Sequence, residues 1–288
     1  MSVFIASIGF GLVTAAVLAL ASVGFTLQFA VTNVLNLAYG GVMIVAAYAA
    51  YALNERGVNI WISAPAAILI GAVLSVLLNN LIYTPFGRRG TTPIAMVIVA
   101  LGMTLILEFG TQALAGPTNV SYIMSQGATV KLGSIELTVV QLVIIGLSIV
   151  VMILVHGLIR YTRLGKAMRA TAANRNLARN CGIRTDRVIT VTWLISGALC
   201  GLAGLTFAMN SGTFGATSTD IFLVLILAAV FLGGPGEPYG AMLGALIIGL
   251  ATEVSASIIV SDYKDVVAFV ILLAMLTIRP TGLLGARA

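Results

Sequence analysis

Long runs without a charged residue dominate the chain. The first extends over residues 2–54, and as one straight helix it would reach roughly 80 Å, against a hydrocarbon core of about 30 Å in a bilayer. This run must therefore fold back on itself. Further uncharged, mostly apolar runs cover residues 57–87, 94–107, 137–159, 188–219 and 266–278.

These runs predict membrane-spanning helices, because a helix pairs all its backbone polar groups internally. We place spans near residues 6–30, 37–53, 61–83, 93–115, 138–159, 188–209, 241–260 and 264–278. A shorter apolar piece at 218–233 is either a ninth span or a re-entrant segment, and Asp220 is interpreted as the N-cap of its helix. The fold class predicted is an all-α polytopic membrane protein with eight or nine transmembrane helices, in a single permease domain covering residues 1–288.

Composition agrees with a membrane protein and gives it an orientation. The chain is 60% hydrophobic and only 8% charged, which is unusual for a soluble domain. Spans of this order put 12 of the 15 basic residues on one side, which the positive-inside rule makes cytoplasmic. Arg56, Lys131 and Lys264 are left on the other side, each near an acid, with Asp262 or Asp265 beside Lys264. The side predicted to be cytoplasmic carries Arg88, Arg89, eight basic residues in 160–187, Arg279 and Arg287.

ATP hydrolysis on this chain is not expected. A phosphate-binding loop needs a Gly-Lys pair that follows another glycine by five positions and precedes Ser or Thr. The one such pair is Gly165-Lys166, with Arg160 in place of the first glycine and Ala167 in place of the hydroxyl residue.

The sequence gives little support for catalysis, metal binding or nucleic-acid binding. His156 stands alone as a histidine, and Cys181 and Cys200 have no metal-ligand spacing, so we predict no catalytic residue, no metal site and no bound cofactor. The net charge of +6 does not indicate nucleic-acid binding, because eight basic residues share one loop that lacks an aromatic stacking surface.

That loop, residues 160–187, has the composition of a soluble helix, although the rest of the chain is typical of a membrane protein. Its alanines and Leu177 favour a helix from Gly165 to Cys181, and Gly182 is suited to the C-terminal cap. Apolar Ala173, Leu177 and Cys181 recur at helical spacing. Two interpretations remain open from the residues alone: docking to a partner protein, or lying on anionic lipid of the bilayer.

The loop also carries the patterns G-x-A-x-R-A-x-A-x-N and G-I-x-T-D-R-V. With these patterns, and with segments 24–41, 231–244 and 262–285, nearly the whole chain resembles the permeases of branched-chain amino acid ABC importers. The resemblance implies a bacterial inner-membrane complex with two cytoplasmic ABC ATPase subunits, a second permease and an external solute-binding protein. ATP and Mg²⁺ would then be bound by the ATPases. It also implies a cytoplasmic coupling helix that docks on an ATPase, formed or oriented by Gly165, Ala167, Arg169, Ala170, Ala172, Gly182, Asp186 and Arg187.

Four polar residues within the spans are tentative translocation-path residues. Glu108 and Glu253 lie past the membrane midplane, where a carboxyl group is costly and either faces a solute or is satisfied by a neighbouring helix. Asn33 and Asn36 fall where the first run must break, so their amides either pair freed backbone groups or line the path.

Two other functions remain open. An ATP-independent secondary transporter or channel would use the basic loop only to fix topology, and a membrane scaffold would move no solute. Within the resembling family, urea or short amides are alternatives to branched-chain amino acids as the substrate.

Overall fold

The computed structural model describes residues 2–124, 127–132, 135–257, 263–279 and 281–285. Asp262, Arg287 and the end of the predicted span 241–260 lie outside these residues. The first half contains α1 (Ser2–Thr32), α2 (Tyr39–Asn54), α3 (Ile60–Leu78), a π-helical turn (Asn79–Tyr83), α4 (Thr84–Arg88) and α5 (Pro93–Ala115). The second half contains β1 (Thr129–Leu132), β2 (Ile135–Thr138), α6 (Val139–Tyr161), α7 (Arg163–Ala173), α8 (Arg175–Asn180), α9 (Thr185–Ser211), α10 (Thr219–Gly233), α11 (Pro238–Ala256) and α12 (Lys264–Ile278).

The predicted all-α polytopic membrane fold is confirmed. Within the described residues, six helical segments are long and apolar enough to cross a membrane. They are Ala6–Thr32, Ile60–Arg88, Pro93–Ala115, Val139–Tyr161, Thr185–Ser211 and Pro238–Ala256. Helices α2 and α10 are apolar but shorter, so the count of eight or nine spans stays a prediction.

Helix α9 lies at the centre of the bundle and packs against α1, α2 and α3. Its glycines allow backbone to touch backbone. A Cβ atom on Gly197 would overlap the carbonyl oxygen of Gly71, and one on Gly201 would overlap the carbonyl oxygen of Ala67. Small residues at helix crossings are typical of membrane bundles, where close van der Waals packing replaces the hydrophobic effect as the driving force.

The predicted break in the first apolar run is confirmed between Thr32 and Tyr39. Asn33 has a φ of 54°, the only positive φ of a non-glycine residue in the part of the chain that the structure describes. Its backbone N–H still donates to the Phe29 carbonyl at 2.7 Å. The left-handed residue therefore ends α1 and lets α2 turn back.

A short β-hairpin, which the all-α prediction did not include, precedes α6. Strands β1 and β2 pair antiparallel, with Lys131 opposite Glu136. Thr138 then forms a capping box with Gln141 that begins α6.

Two local predictions were wrong. The helix expected from Gly165 to Cys181 is broken at Asn174, whose backbone is extended, so Ala173, Leu177 and Cys181 do not form one stripe. Asp220 is not an N-cap, because it is the second residue of α10 and the cap position belongs to Ser218.

Candidate functional site

Helix α7 is anchored to the end of α6. Thr162, between the two helices, accepts a hydrogen bond on its Oγ1 from the Gly165 N–H at 3.0 Å. Gly165 is buried so close to α6 that a Cβ atom would overlap the carbonyl oxygens of Leu158 and Ile159. The Arg169 guanidinium donates to the same Ile159 carbonyl. Helix α7 is therefore attached directly to the end of α6.

Helix α8 is held by a cap and by an ionic clasp. The Asn174 Oδ1 accepts from the Leu177 N–H at 3.0 Å, which explains why a new helix begins after Asn174. Asp186, in the first turn of α9, accepts from Arg175 at 2.9 Å and from Arg179 at 3.0 Å. We call these two ion pairs the Asp186 clasp. Gly182, with a φ of 84°, supplies the left-handed turn that brings α8 back to α9.

The α7–α8 segment, residues 163–180, leaves much of its surface free. Leu177 is 61% exposed. Ala172 and Arg187 are also exposed, whereas Ala167 and Ala170 are half-buried against the bundle. The predicted docking residues thus divide into an outward set and a set that joins the segment to the spans.

A cavity of about 750 Å³, here called the loop-side cavity, lies beneath this segment. The end of α1, helix α7 and the α10–α11 turn surround it. Asn33 lines it, together with Arg169 and Glu237. The cavity therefore combines polar groups of both signs with an apolar wall.

Asn36 does not line the loop-side cavity with Asn33 but is buried at the break itself. Its Oδ1 accepts a hydrogen bond from the Tyr83 hydroxyl at 2.5 Å. Tyr83 belongs to the π-helical turn, a type of distortion that is frequent at functional sites. Asn36 therefore links the α1–α2 break to the wide turn below α3.

Glu108 is buried on α5, with 2% of its surface exposed. Its carboxyl group lies beside that of Asp220, and its Oε1 has no hydrogen-bond partner among the described residues. An unpartnered carboxyl oxygen at membrane depth is costly, so this residue stays a candidate for contact with solute or with water.

Glu253 is paired within the bundle. Its Oε1 accepts from Thr14 at 3.1 Å and forms an ion pair with the Lys264 ammonium at 3.3 Å. Both charged residues, together with Asp265 and Asn210, line a cavity of about 250 Å³, here called the far cavity. The sequence did not predict this pair, because Asp262 and Asp265 are the acids close to Lys264 along the chain.

The four predicted path residues do not form one site. Asn33 lines the loop-side cavity with Glu237, just before α11, whereas Glu253 lies near the other end of α11. At about 1.5 Å per residue, the 15 residues from Pro238 to Glu253 separate the two cavities by roughly 22 Å. The polar groups therefore mark different depths of the bundle. No group of three or more potential metal ligands occurs among the described residues.

Apolar spans, polar cavities at two depths and a basic segment anchored to the bundle define the class of multi-pass membrane transport proteins. The comparison with known families is more specific. Residues 7–276 match the family described as "Branched-chain amino acid transport system / permease component". The chain belongs to this family.

The relatives agree with this assignment. The permease protein LivH of the high-affinity branched-chain amino acid transport system of Salmonella typhimurium is 30% identical over 93% of this chain and 91% of its own length. The corresponding protein BraD of Pseudomonas aeruginosa is 27% identical over 96% and 94%. The solved structure "PsaBC from Streptococcus pneumoniae in complex with Fab" covers 94% of this chain and 91% of its own, with a TM-score of 0.52 and 14% identity, a likeness in fold alone.

Proposed function

We propose that this chain is the membrane-spanning subunit of an ATP-driven importer for branched-chain amino acids or closely related small zwitterionic solutes. The observation that carries the proposal is the family match over residues 7–276. The proposed complex contains two cytoplasmic ABC ATPases, which bind ATP and Mg²⁺, a second permease subunit and an external solute-binding protein. The α7–α8 segment faces the cytoplasm of a bacterial cell, in agreement with the positive-inside rule.

In this proposal the α7–α8 segment couples the ATPases to the spans. Exposed Leu177 and Ala172 provide a small apolar docking surface, and the Asp186 clasp keeps α8 in a fixed position relative to α9. Closure of the ATPases displaces α7, and the attachments at Gly165 and Arg169 pass the displacement to α6. The spans then open the path on the opposite face, which is alternating access.

The polar groups along the path suit a zwitterionic solute held weakly. The far cavity offers a carboxylate and an ammonium that already face each other. An α-ammonium group can replace Lys264 beside Glu253 while the α-carboxylate takes up Lys264. Asn33 lines the loop-side cavity, which we place at the exit end, and Asn36 is buried at the α1–α2 break. Glu108 lies beside Asp220 near the start of α10. Scattered contacts of this kind favour passage over tight binding.

Uptake measurements test the proposal. A strain that lacks the chromosomal copy is complemented with the chain and its partner subunits, and uptake of labelled leucine, urea and acetamide is compared. We expect leucine uptake that stops when the catalytic residues of the ATPases are inactivated. Uptake that persists without ATP hydrolysis would support the secondary transporter, and uptake of urea alone would reassign the substrate.

A charge reversal tests the coupling role of the loop. Arg169→Glu removes the hydrogen bond to Ile159 and places an acid on the docking segment, so ATP hydrolysis should continue while uptake falls severalfold. Arg56→Glu is the matched control, because it makes the same reversal at an exposed arginine outside this segment. Equal uptake by the two variants would contradict the coupling role.

A further inference from the structure

A third cavity, of about 420 Å³, lies where the π-helical turn, α4, α8 and α9 meet. We call it the arginine cleft. Arg88, Arg175, Asn79, Tyr83 and Trp193 contribute its polar atoms. All side chains that line it in the described part of the chain are neutral or basic, and neither Asp nor Glu is among them.

Trp193 leaves a hydrogen-bond donor unused in this cleft. The residue is completely buried, and its indole Nε1–H has no partner among the described residues. The neighbouring Tyr83 ring lies 5.1 Å away, but its hydroxyl is already donated to Asn36. Because a buried donor without a partner is costly, a ligand that supplies an acceptor here would be stabilised by the indole N–H.

Because two arginines line the cleft, the ligand group that accepts from the indole N–H is expected to be an anion. Arg88 has no hydrogen bond and no ion pair with any residue that the structure describes. Arg175 uses one nitrogen, Nη2, to bind Asp186, which leaves further donors of its planar guanidinium free. Two guanidinium groups that line the same cavity as the indole ring provide the donors that a carboxylate accepts.

The rest of the wall limits what the anion is attached to. Val34, Met96 and Ile189 are apolar and line the same cavity. A ligand with a short hydrocarbon body and a carboxylate at one end matches this arrangement. Asp186 does not line the cleft and is already paired with Arg175 and Arg179, so an α-ammonium group would find no free acidic partner here among the described residues. A carboxylate without an ammonium group therefore fits better than an amino acid does.

We propose that the arginine cleft binds a small monocarboxylate with a short apolar chain, such as a 2-oxo acid or a branched fatty acid. The ligand sits at the same end of the bundle as the α7–α8 segment and contacts Arg175, a member of the Asp186 clasp. Occupancy adds a second anion at Arg175, which then shares its charge between the ligand and Asp186, and this loosens α8. The site makes the transporter responsive to such carboxylates without placing them on the transport path.

Tryptophan fluorescence provides the test. The chain has two tryptophans, so Trp61→Phe leaves Trp193 as the only reporter. The purified variant in mild detergent is titrated with 4-methyl-2-oxopentanoate, 4-methylpentanoate, leucine and the uncharged 4-methylpentanamide. We expect a saturable change in emission with the two carboxylates, at least about tenfold weaker binding of leucine, and no saturation with the amide.

Matched arginine variants locate the site. Arg88→Gln should weaken carboxylate binding at least about tenfold, whereas Arg89→Gln, a change at the adjacent exposed arginine that does not line the cleft, should leave it unchanged. Calorimetric titration of the unmodified chain gives the same comparison if Trp61→Phe folds poorly. Equal binding by the two variants, equal binding of the amide, or saturation only by a short-chain anionic phospholipid would overturn the proposal. The test needs no transport, so its failure leaves the proposed function standing.

Discussion

The crossing of α3 and α9 provides a quantitative prediction for Gly197→Val. In the structure, a Cβ atom on Gly197 would overlap the Gly71 carbonyl oxygen and the Ser75 Cβ. Neither is the flexible end of a long side chain, so relief requires the two helices to separate by about 1 Å. Overpacking of this kind costs about 1–3 kcal/mol, and separation also removes the close contacts on which membrane helices depend.

Gly146→Val on α6 is the matched control. A Cβ atom there meets nothing within 4 Å, and both glycines lie inside long apolar helices. The change in intrinsic helix propensity is therefore the same in the two variants. Their difference in stability isolates the contact between α3 and α9.

Thermal unfolding in mild detergent, followed by size-exclusion of the remaining monodisperse protein, measures this difference. At about 2–4 °C for each kcal/mol, the Gly197 variant should lose about 2–12 °C relative to the Gly146 variant. Equal midpoints would refute the packing described for α9. A loss that appears only in Gly146→Val would show that α6 is the buried helix instead.

Three further outcomes are expected. Asp186→Asn weakens two exposed ion pairs worth about 0.2–1 kcal/mol each. Backbone hydrogen exchange in α8 should therefore become faster, while the midpoint of thermal unfolding hardly changes. Unchanged exchange would contradict the Asp186 clasp. Glu253→Gln leaves Lys264 without its counter-ion and should lower leucine uptake severalfold, whereas an uptake equal to that of the parent chain would remove the far cavity from the path. Asn36→Leu leaves the buried Tyr83 hydroxyl unpaired and should cost about 1–3 kcal/mol, and adding Tyr83→Phe should recover part of that loss; strictly additive losses would show that the two side chains act independently.

Much of the fold could be predicted from the sequence because a membrane span is recognised by its length along the chain alone. The length of an uncharged run compared with the thickness of a bilayer predicts a span, and the runs over 93–115 and 138–159 match α5 and α6 closely. The break at Asn33 and Asn36 followed for the same reason, since a run too long for one span must turn. Family membership also followed from local patterns of residues in the loop.

The loop helix shows where local reasoning fails. Alanine-rich composition favours one helix across residues 165–181, but the Asn174 side chain offers Leu177 a cap and ends the first helix. Helix propensity and capping compete within about 1 kcal/mol, and the contacts of α7 with α6 and of α8 with Asp186 favour two helices. Those contacts join residues 7 to 11 positions apart through a change of direction that spacing does not reveal.

The sequence by itself thus determined that this chain spans a membrane and which family it belongs to, because hydrophobic length and short motifs are local properties. Only the tertiary structure decided which polar groups meet. It paired Glu253 with Lys264, separated Asn33 from Glu253 by most of the depth of the bundle, and left the Trp193 indole N–H without a partner among the described residues, in a cavity that two arginines also line. The physical reason is that the partners of a buried polar group are set by how helices cross, and crossings depend on small residues such as Gly71 and Gly197 that carry no polar signal of their own.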